Sequence, residues 1–161
     1  MLLNWAAIVV FFMIAYFILR ITKGRKGSAK FRWIGDDEFE FDIVGESRRQ
    51  DSLEAIAGPK TEDGYRLHCK ATLFPERNNP HDKNAVAVLI KRKHVGYLAR
   101  ADAQAYRKVL TSIGKDHEPI SVDAMIVGGW SRDEGYDEGS FGVKLDLDPS
   151  LSPDRMKTER L

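Results

Sequence analysis

Cysteine is all but missing: Cys69 is the single thiol in 161 residues. One thiol excludes an intramolecular disulfide and any cysteine-based zinc site built by one chain. The four histidines, His68, His81, His94 and His117, are dispersed and match no local zinc spacing. No glycine-rich loop runs into Lys-Ser or Lys-Thr and no Gly-x-Gly-x-x-Gly fingerprint occurs, so neither a P-loop NTPase nor a Rossmann enzyme is supported. A metal-dependent nuclease needs several converging acids. The dense acidic groups here, Asp36 to Asp42 and Asp133 to Glu138, fall in stretches that read as linker and loop. No catalytic residue, cofactor or metal is therefore expected.

Net charge is also nearly absent, at +1, but the charges are segregated. Arg20, Lys23, Arg25, Lys26, Lys30 and Arg32 come without an acid, and Asp36, Asp37, Glu38, Glu40 and Asp42 follow without a base. The middle of the chain is basic and its last third acidic, so a local patch can still meet an anion.

Residues 5 to 19, Trp-Ala-Ala-Ile-Val-Val-Phe-Phe-Met-Ile-Ala-Tyr-Phe-Ile-Leu, carry no charged side chain, and Leu2, Leu3 and Ile21 extend the apolar run. As a helix rising ~1.5 Å per residue, this segment is long enough to cross a bilayer core. It is apolar all round, which disfavours an amphipathic surface helix. A cleaved signal peptide would have basic residues before the run, and Met1 to Asn4 contain none. The expectation is an uncleaved anchor over 1–21. The nearby Lys and Arg all follow it, which puts the N-terminus outside and the domain in the cytoplasm of a single-pass cell-membrane protein. The basic segment also suits anionic lipid head groups, making the lipid bilayer an expected partner.

Residues 22–38 read as a charged juxtamembrane linker, 39–148 as one domain and 149–161, punctuated by Pro149 and Pro153, as a disordered tail. Within the domain, Phe39, Phe41 and Ile43 alternate with acids as a strand, and Leu53, Ile56 and Ala57 take helical spacing before Gly58-Pro59. Strands follow at Tyr65–Leu73 and Ala85–Ile90, and Lys91-Arg92-Lys93 turns the latter into His94–Leu98. Cys69 falls on the apolar side of its strand as a packing thiol. Ala105, Tyr106, Val109, Leu110 and Ile113 mark a helix ended by Gly114, and two further strands, Ile120–Val127 and Phe141–Leu147, flank a loop over 128–140. Six short strands and two helices predict a mainly β (α+β) fold: a small, OB-like, partly open β-barrel preceded by one transmembrane helix.

Three segments carry a family resemblance. They are Ile43-Val44-Gly45-Glu46-Ser47, then Asn79-Pro80-His81-Asp82-Lys83-Asn84-Ala85-Val86-Ala87-Val88, then Val95-Gly96-Tyr97-Leu98. Over roughly residues 40–115 the chain resembles the HIRAN domain, a module of SWI/SNF-type remodelling ATPases that in bacteria also stands alone or is fused to nucleases. Physically, the central segment is first a turn: Pro80 fixes one φ, while Asn79, Asp82 and Asn84 can bond nearby backbone. The resemblance implies more. In DNA-binding members the domain grips a 3′ end of single-stranded DNA, with bases stacked on aromatics after the first Val-Gly and the turn's aspartate meeting the terminal hydroxyl. Asp82 falls on that aspartate. In place of an Arg followed by two aromatics, this chain has Ser47, Arg48 and Arg49. Guanidinium planes can stack on bases and contact phosphate.

The sequence thus predicts a membrane-tethered, non-enzymatic module that binds nucleic acid, single-stranded DNA or DNA ends. The expected contacts are Asp82, Ser47, Arg48 and Arg49, with help from Arg66, Lys70 and the hairpin tip Lys91, Arg92 and Lys93. A competing reading is a tethered protein-interaction or assembly module that keeps the fold without the ligand. A further one is a targeting subunit whose protein partner supplies nuclease or ATPase catalysis.

Overall fold

The structure, a computed structural model, describes residues 29–158. The chain runs β1 (Phe31–Trp33), β2 (Phe41–Val44), α1 (Gln50–Ala57), β3 (Tyr65–Pro75), β4 (Val86–Ile90), β5 (Lys93–Leu98) and α2 (Arg100–Ser112). It continues through β6 (Ile120–Gly128), the short hairpin β7 (Ser131–Arg132) and β8 (Asp137–Glu138), then β9 (Phe141–Leu145) and β10 (Met156–Thr158).

The alternating sequence of β3 gives it one apolar side, and it pairs with β6 from Tyr65 opposite Gly128 to Leu73 opposite Ile120. From there the neighbours are β4, β5, β2 and β9, and β9 returns to β6 through Ala124–Gly128. The six strands therefore form a closed barrel, consistent with the OB-like expectation, where a partly open one was expected. Closure follows from β9 using both edges, with β6 along its whole length and β2 at Lys144 and Leu145.

Four strands were not expected; two of them, β7 and β8, form a short hairpin inside the loop read over 128–140. Phe31–Trp33, read as part of the charged linker, forms β1 and pairs in parallel with Ile120 and Ser121. Met156–Thr158, read as disordered tail, pairs antiparallel with it. The reason is burial: Trp33 is fully enclosed in the core, and Phe31 and Met156 pack against that core.

The barrel interior is filled by Leu73, Val86, Val88, Ile90, Val95, Ile120, Ile126 and Leu145, all at or near zero exposure. Helix α1 buries Leu53 and Ile56, and α2 buries Ala103, Tyr106 and Leu110. Gly114, at φ +68, ends α2 by allowing the Lys115 N–H to reach the Leu110 carbonyl at 2.7 Å. The β4–β5 hairpin turns on Lys91 and Arg92, both at positive φ, which matches the strand twist. Among the described residues no helix is long and apolar enough to cross a membrane. The anchor expected over 1–21 lies outside the described residues.

Candidate nucleic-acid interface

Directly opposed residues in a sheet share a face. Val44 opposes Tyr97, Tyr97 opposes Ala87 and Ala87 opposes Phe74, so these four form a row across β2, β5, β4 and β3 on the outside of the barrel. Val44 and Phe74 are 46% and 42% exposed, and Tyr97 lies half-buried between them. The next row is His94, Leu89, Thr72 and Ser121. The His94 ring stands edge-on to Tyr97 at 4.5 Å between centroids, and its Nε2 lies 2.8 Å from the Gly96 carbonyl oxygen.

The charges around this surface come from two neighbouring elements. Burial, and after it the Arg49 guanidinium, holds the His94 imidazole below its ordinary pKa. Burial, and then the Glu76 carboxylate, raises the Tyr97 hydroxyl. Arg49 and Glu76 are thus within electrostatic reach of both rings. Gly45, at φ +85, swings the chain off β2 into a single 3-10 turn, Glu46–Arg48, and leaves Ser47, Arg48 and Arg49 exposed beside Val44.

The Asn-Pro turn folds as its chemistry predicts. Asn79 Oδ1 accepts the N–H groups of His81 at 2.8 Å and Asp82 at 3.0 Å, and Asn79 Nδ2 donates to Glu76 at 2.6 Å. Asp82 Oδ1 accepts the Asn84 N–H at 2.8 Å, and the Asp82 carbonyl accepts that of Ala85 at 3.0 Å. The other Asp82 oxygen lies 3.5 Å from Arg100 Nε at the start of α2. Because α2 begins two residues after β5, this ion pair ties Asp82 to the end of β5 that carries Tyr97. Pro80 is exposed within the turn.

The remaining sequence candidates lie along β3 and at its far neighbours. Phe74, Thr72, Lys70, His68 and Arg66 alternate outward on β3. Lys70 opposes Asp123, whose carboxylate is hydrogen-bonded by the Arg32 guanidinium. His68 packs edge-on to Phe39 at 5.0 Å, and Arg66 lines a groove with Glu38, Phe39, Glu40 and Lys144. Lys91, Arg92 and Lys93 sit exposed at the tip of the β4–β5 hairpin. The structure therefore gathers Ser47, Arg48, Arg49 and Asp82 around the aromatic row and leaves Lys70, and beyond it Arg66, farther along β3, with Lys91 to Lys93 at the hairpin tip. Sequence reasoning missed the outward-facing rings of Phe74 and Tyr97. Tyr97 stood in the quoted Val-Gly-Tyr-Leu segment, but its outward side was set only by the register with Val44 and Ala87.

A family model of the HIRAN domain matches residues 37–127. This chain belongs to the HIRAN domain family. HIRAN domains are generally nucleic-acid-binding modules. The match runs from just before β2 to the penultimate residue of β6, so the aromatic row, the Asn-Pro turn and Arg49 all fall within the HIRAN domain proper, while the barrel-closing β9 lies beyond it. No curated protein and no solved structure matches the chain. Cys69 is half-buried with its thiol pKa raised by burial, which suits packing rather than nucleophilic chemistry. Among the described residues no group of three or more His, Cys, Asp and Glu side chains could hold a metal ion.

Proposed function

We propose that this HIRAN domain binds single-stranded nucleic acid, DNA in particular, on the outer face of β2, β5, β4 and β3, without catalysis of its own. The observation that carries the reading is the row of exposed Phe74, half-buried Tyr97 and exposed Val44 around the small, buried Ala87, flanked by Arg48 and Arg49. Rings give every base a stacking partner whatever its sequence, at ~1–3 kcal/mol per base. Exposed guanidinium groups at the rim supply the phosphate contacts. The rings of Phe74, Tyr97 and His94 do here what two aromatics after the first Val-Gly would do elsewhere in the family.

Binding of a labelled oligodeoxythymidine by the full chain in detergent, followed by fluorescence anisotropy, tests this. Phe74→Ala with Tyr97→Ala should weaken binding by at least about tenfold, since two stacking partners are lost. Arg48→Ala with Arg49→Ala should weaken it and flatten its salt dependence. An oligonucleotide that fails to bind at low salt would favour the protein-interaction module instead.

The same proposal includes tethering. The apolar run over 1–21, followed by Arg20, Lys23, Arg25 and Lys26, is read as an anchor that keeps the domain at the cytoplasmic face of the cell membrane. Any catalysis on the bound strand then comes from a separate protein partner. A reporter fused after Leu161 should be active only in its cytoplasmic form, and activity outside the cytoplasm would remove this part of the proposal.

A further inference from the structure

We infer that the strand is held through its interior, running along the outer face of β3 from Phe74 toward Lys70 and Lys91, so that binding needs no free end. The inference rests on the nucleic-acid reading above and adds the ligand's path and topology.

Three observations set the path. First, the outward residues of β3 change from the exposed ring of Phe74 through the hydroxyl of Thr72 to the ammonium of Lys70. Cross-strand neighbours change in step, from Ala87 and Tyr97 through Leu89 and His94 to the turn at Lys91 and Arg92. Lys70 and Arg32 flank the single Asp123 carboxylate, so that end of the face is net cationic. Four residues of strand at ~3.4 Å each separate Phe74 from Lys70, about 14 Å. Stacked bases at one end and phosphate contacts at the other fit one short stretch of strand, at the low end of the ~4–16 nucleotides that OB-type folds engage.

Second, the face is bounded beyond Lys70. Phe39 packs on His68, and Glu38 and Glu40 stand with it around Arg66. Glu38 and Glu40 offset Arg66 and Lys144 in that groove, so it offers a phosphate chain no net attraction, and the path leaves β3 before Arg66 and passes to the hairpin tip.

Third, both oxygens of the Asp82 carboxylate already have a neighbour in the fold. One Asp82 oxygen accepts the Asn84 N–H at 2.8 Å and the other faces Arg100 at 3.5 Å. A terminal hydroxyl would have to share an oxygen with one of these contacts, whereas stacking and phosphate contacts along β3 do not involve Asp82.

The test compares a linear oligonucleotide with a covalently closed single-stranded circle of the same length and composition, both titrated with the full chain. The two should bind within about twofold of each other, because phosphate and stacking contacts do not sense an end. A circle that binds at least about tenfold more weakly than the linear form overturns the inference while leaving nucleic-acid binding intact. If neither binds, the nucleic-acid reading itself fails. Variants fix the path: Lys70→Ala with Lys91→Ala should weaken both ligands and flatten the salt dependence, and Arg66→Ala should leave both unchanged. Equal losses from Arg66→Ala and from the lysine pair would overturn the path. A thermal melt checks that each variant is folded.

Discussion

The Glu46 carboxylate accepts the backbone N–H of Val143 at 2.6 Å. Next to it, Gln50 Nε2 donates to the Phe141 carbonyl at 2.9 Å while Gln50 Oε1 accepts the Phe141 N–H at 2.8 Å. Strand β2 reaches β9 only at Lys144 and Leu145, so these two side chains complete the edge that β2 leaves open. The segment that leaves the first Val-Gly element therefore both presents Arg48 and Arg49 and helps close the barrel.

The first prediction follows from that closure. Gln50→Ala removes both partners of the Phe141 peptide, and leaving buried backbone groups unpaired costs about 1–3 kcal/mol. Chemical denaturation should show a loss of that size, and amide exchange at Phe141 should quicken. An unchanged denaturation midpoint would mean that water or a neighbouring strand takes over the edge.

Gly96 supports the second. A Cβ at this position would come within 2.7 Å of both Ile43 Cδ1 and the Val44 carbonyl oxygen. The side chain could be displaced, but the carbonyl belongs to the β2–β5 ladder at the centre of the aromatic face. Gly96→Ala should cost ~1–3 kcal/mol through overpacking and should also weaken oligonucleotide binding, because β2 and Tyr97 shift apart. Intact stability with intact binding would show the ladder to be more compliant than the geometry implies.

Periodicity made much of the fold legible. β3, β4 and β5 declare themselves by alternation, α1 and α2 by their apolar spacing and glycine stops, and the Asn-Pro turn by short polar side chains that bond nearby backbone. What stayed hidden depends on distant partners. β1 and β10 are three residues each, more than a hundred positions apart, and lie in charged stretches where Trp33 and Met156 give too weak a signal. Barrel closure depends on Glu46 and Gln50 standing in for a strand. The aromatic face exists only because register brings Phe74 and Tyr97, from β3 and β5, to either side of Ala87.

The third prediction concerns pH. Asp146 is 3% exposed, and its Oδ1 accepts the N–H groups of Asp36 at 3.0 Å and Asp37 at 2.8 Å. Burial raises its pKa above the ordinary 3.8, with those two bonds opposing the rise. The folded protein thus holds this proton more tightly than the unfolded chain. The resulting stabilisation is complete below the ordinary value and is lost as pH rises through the raised one. Asp146→Asn keeps an oxygen for both N–H groups and removes the buried charge. Its urea midpoint at neutral pH should equal or exceed that of wild type, and its profile should be flatter across the acidic range. A clearly less stable variant at neutral pH would show that the charge itself is needed there.

Asp82 is where fold and ligand recognition compete for the same atoms. Its Oδ1 holds the Asn84 N–H and its carbonyl holds that of Ala85, so the side chain shapes the turn whether or not a ligand is present. Asp82→Asn retains an oxygen acceptor and should fold with little loss, whereas Asp82→Ala should cost about 1 kcal/mol. If the strand lies along β3 as argued, wild type should bind a linear oligonucleotide ending in a 3′-hydroxyl and one ending in a 3′-phosphate equally. A carboxylate that met the terminus would accept from the hydroxyl and repel the phosphate, giving a preference that Asp82→Asn would erase while the melt stayed unchanged. Titrating both oligonucleotides against wild type and Asp82→Asn separates the cases. Four equal affinities assign Asp82 to the turn. A wild-type preference for the hydroxyl that disappears in the asparagine variant would assign it to the strand's end, with Arg100 beside the same carboxylate.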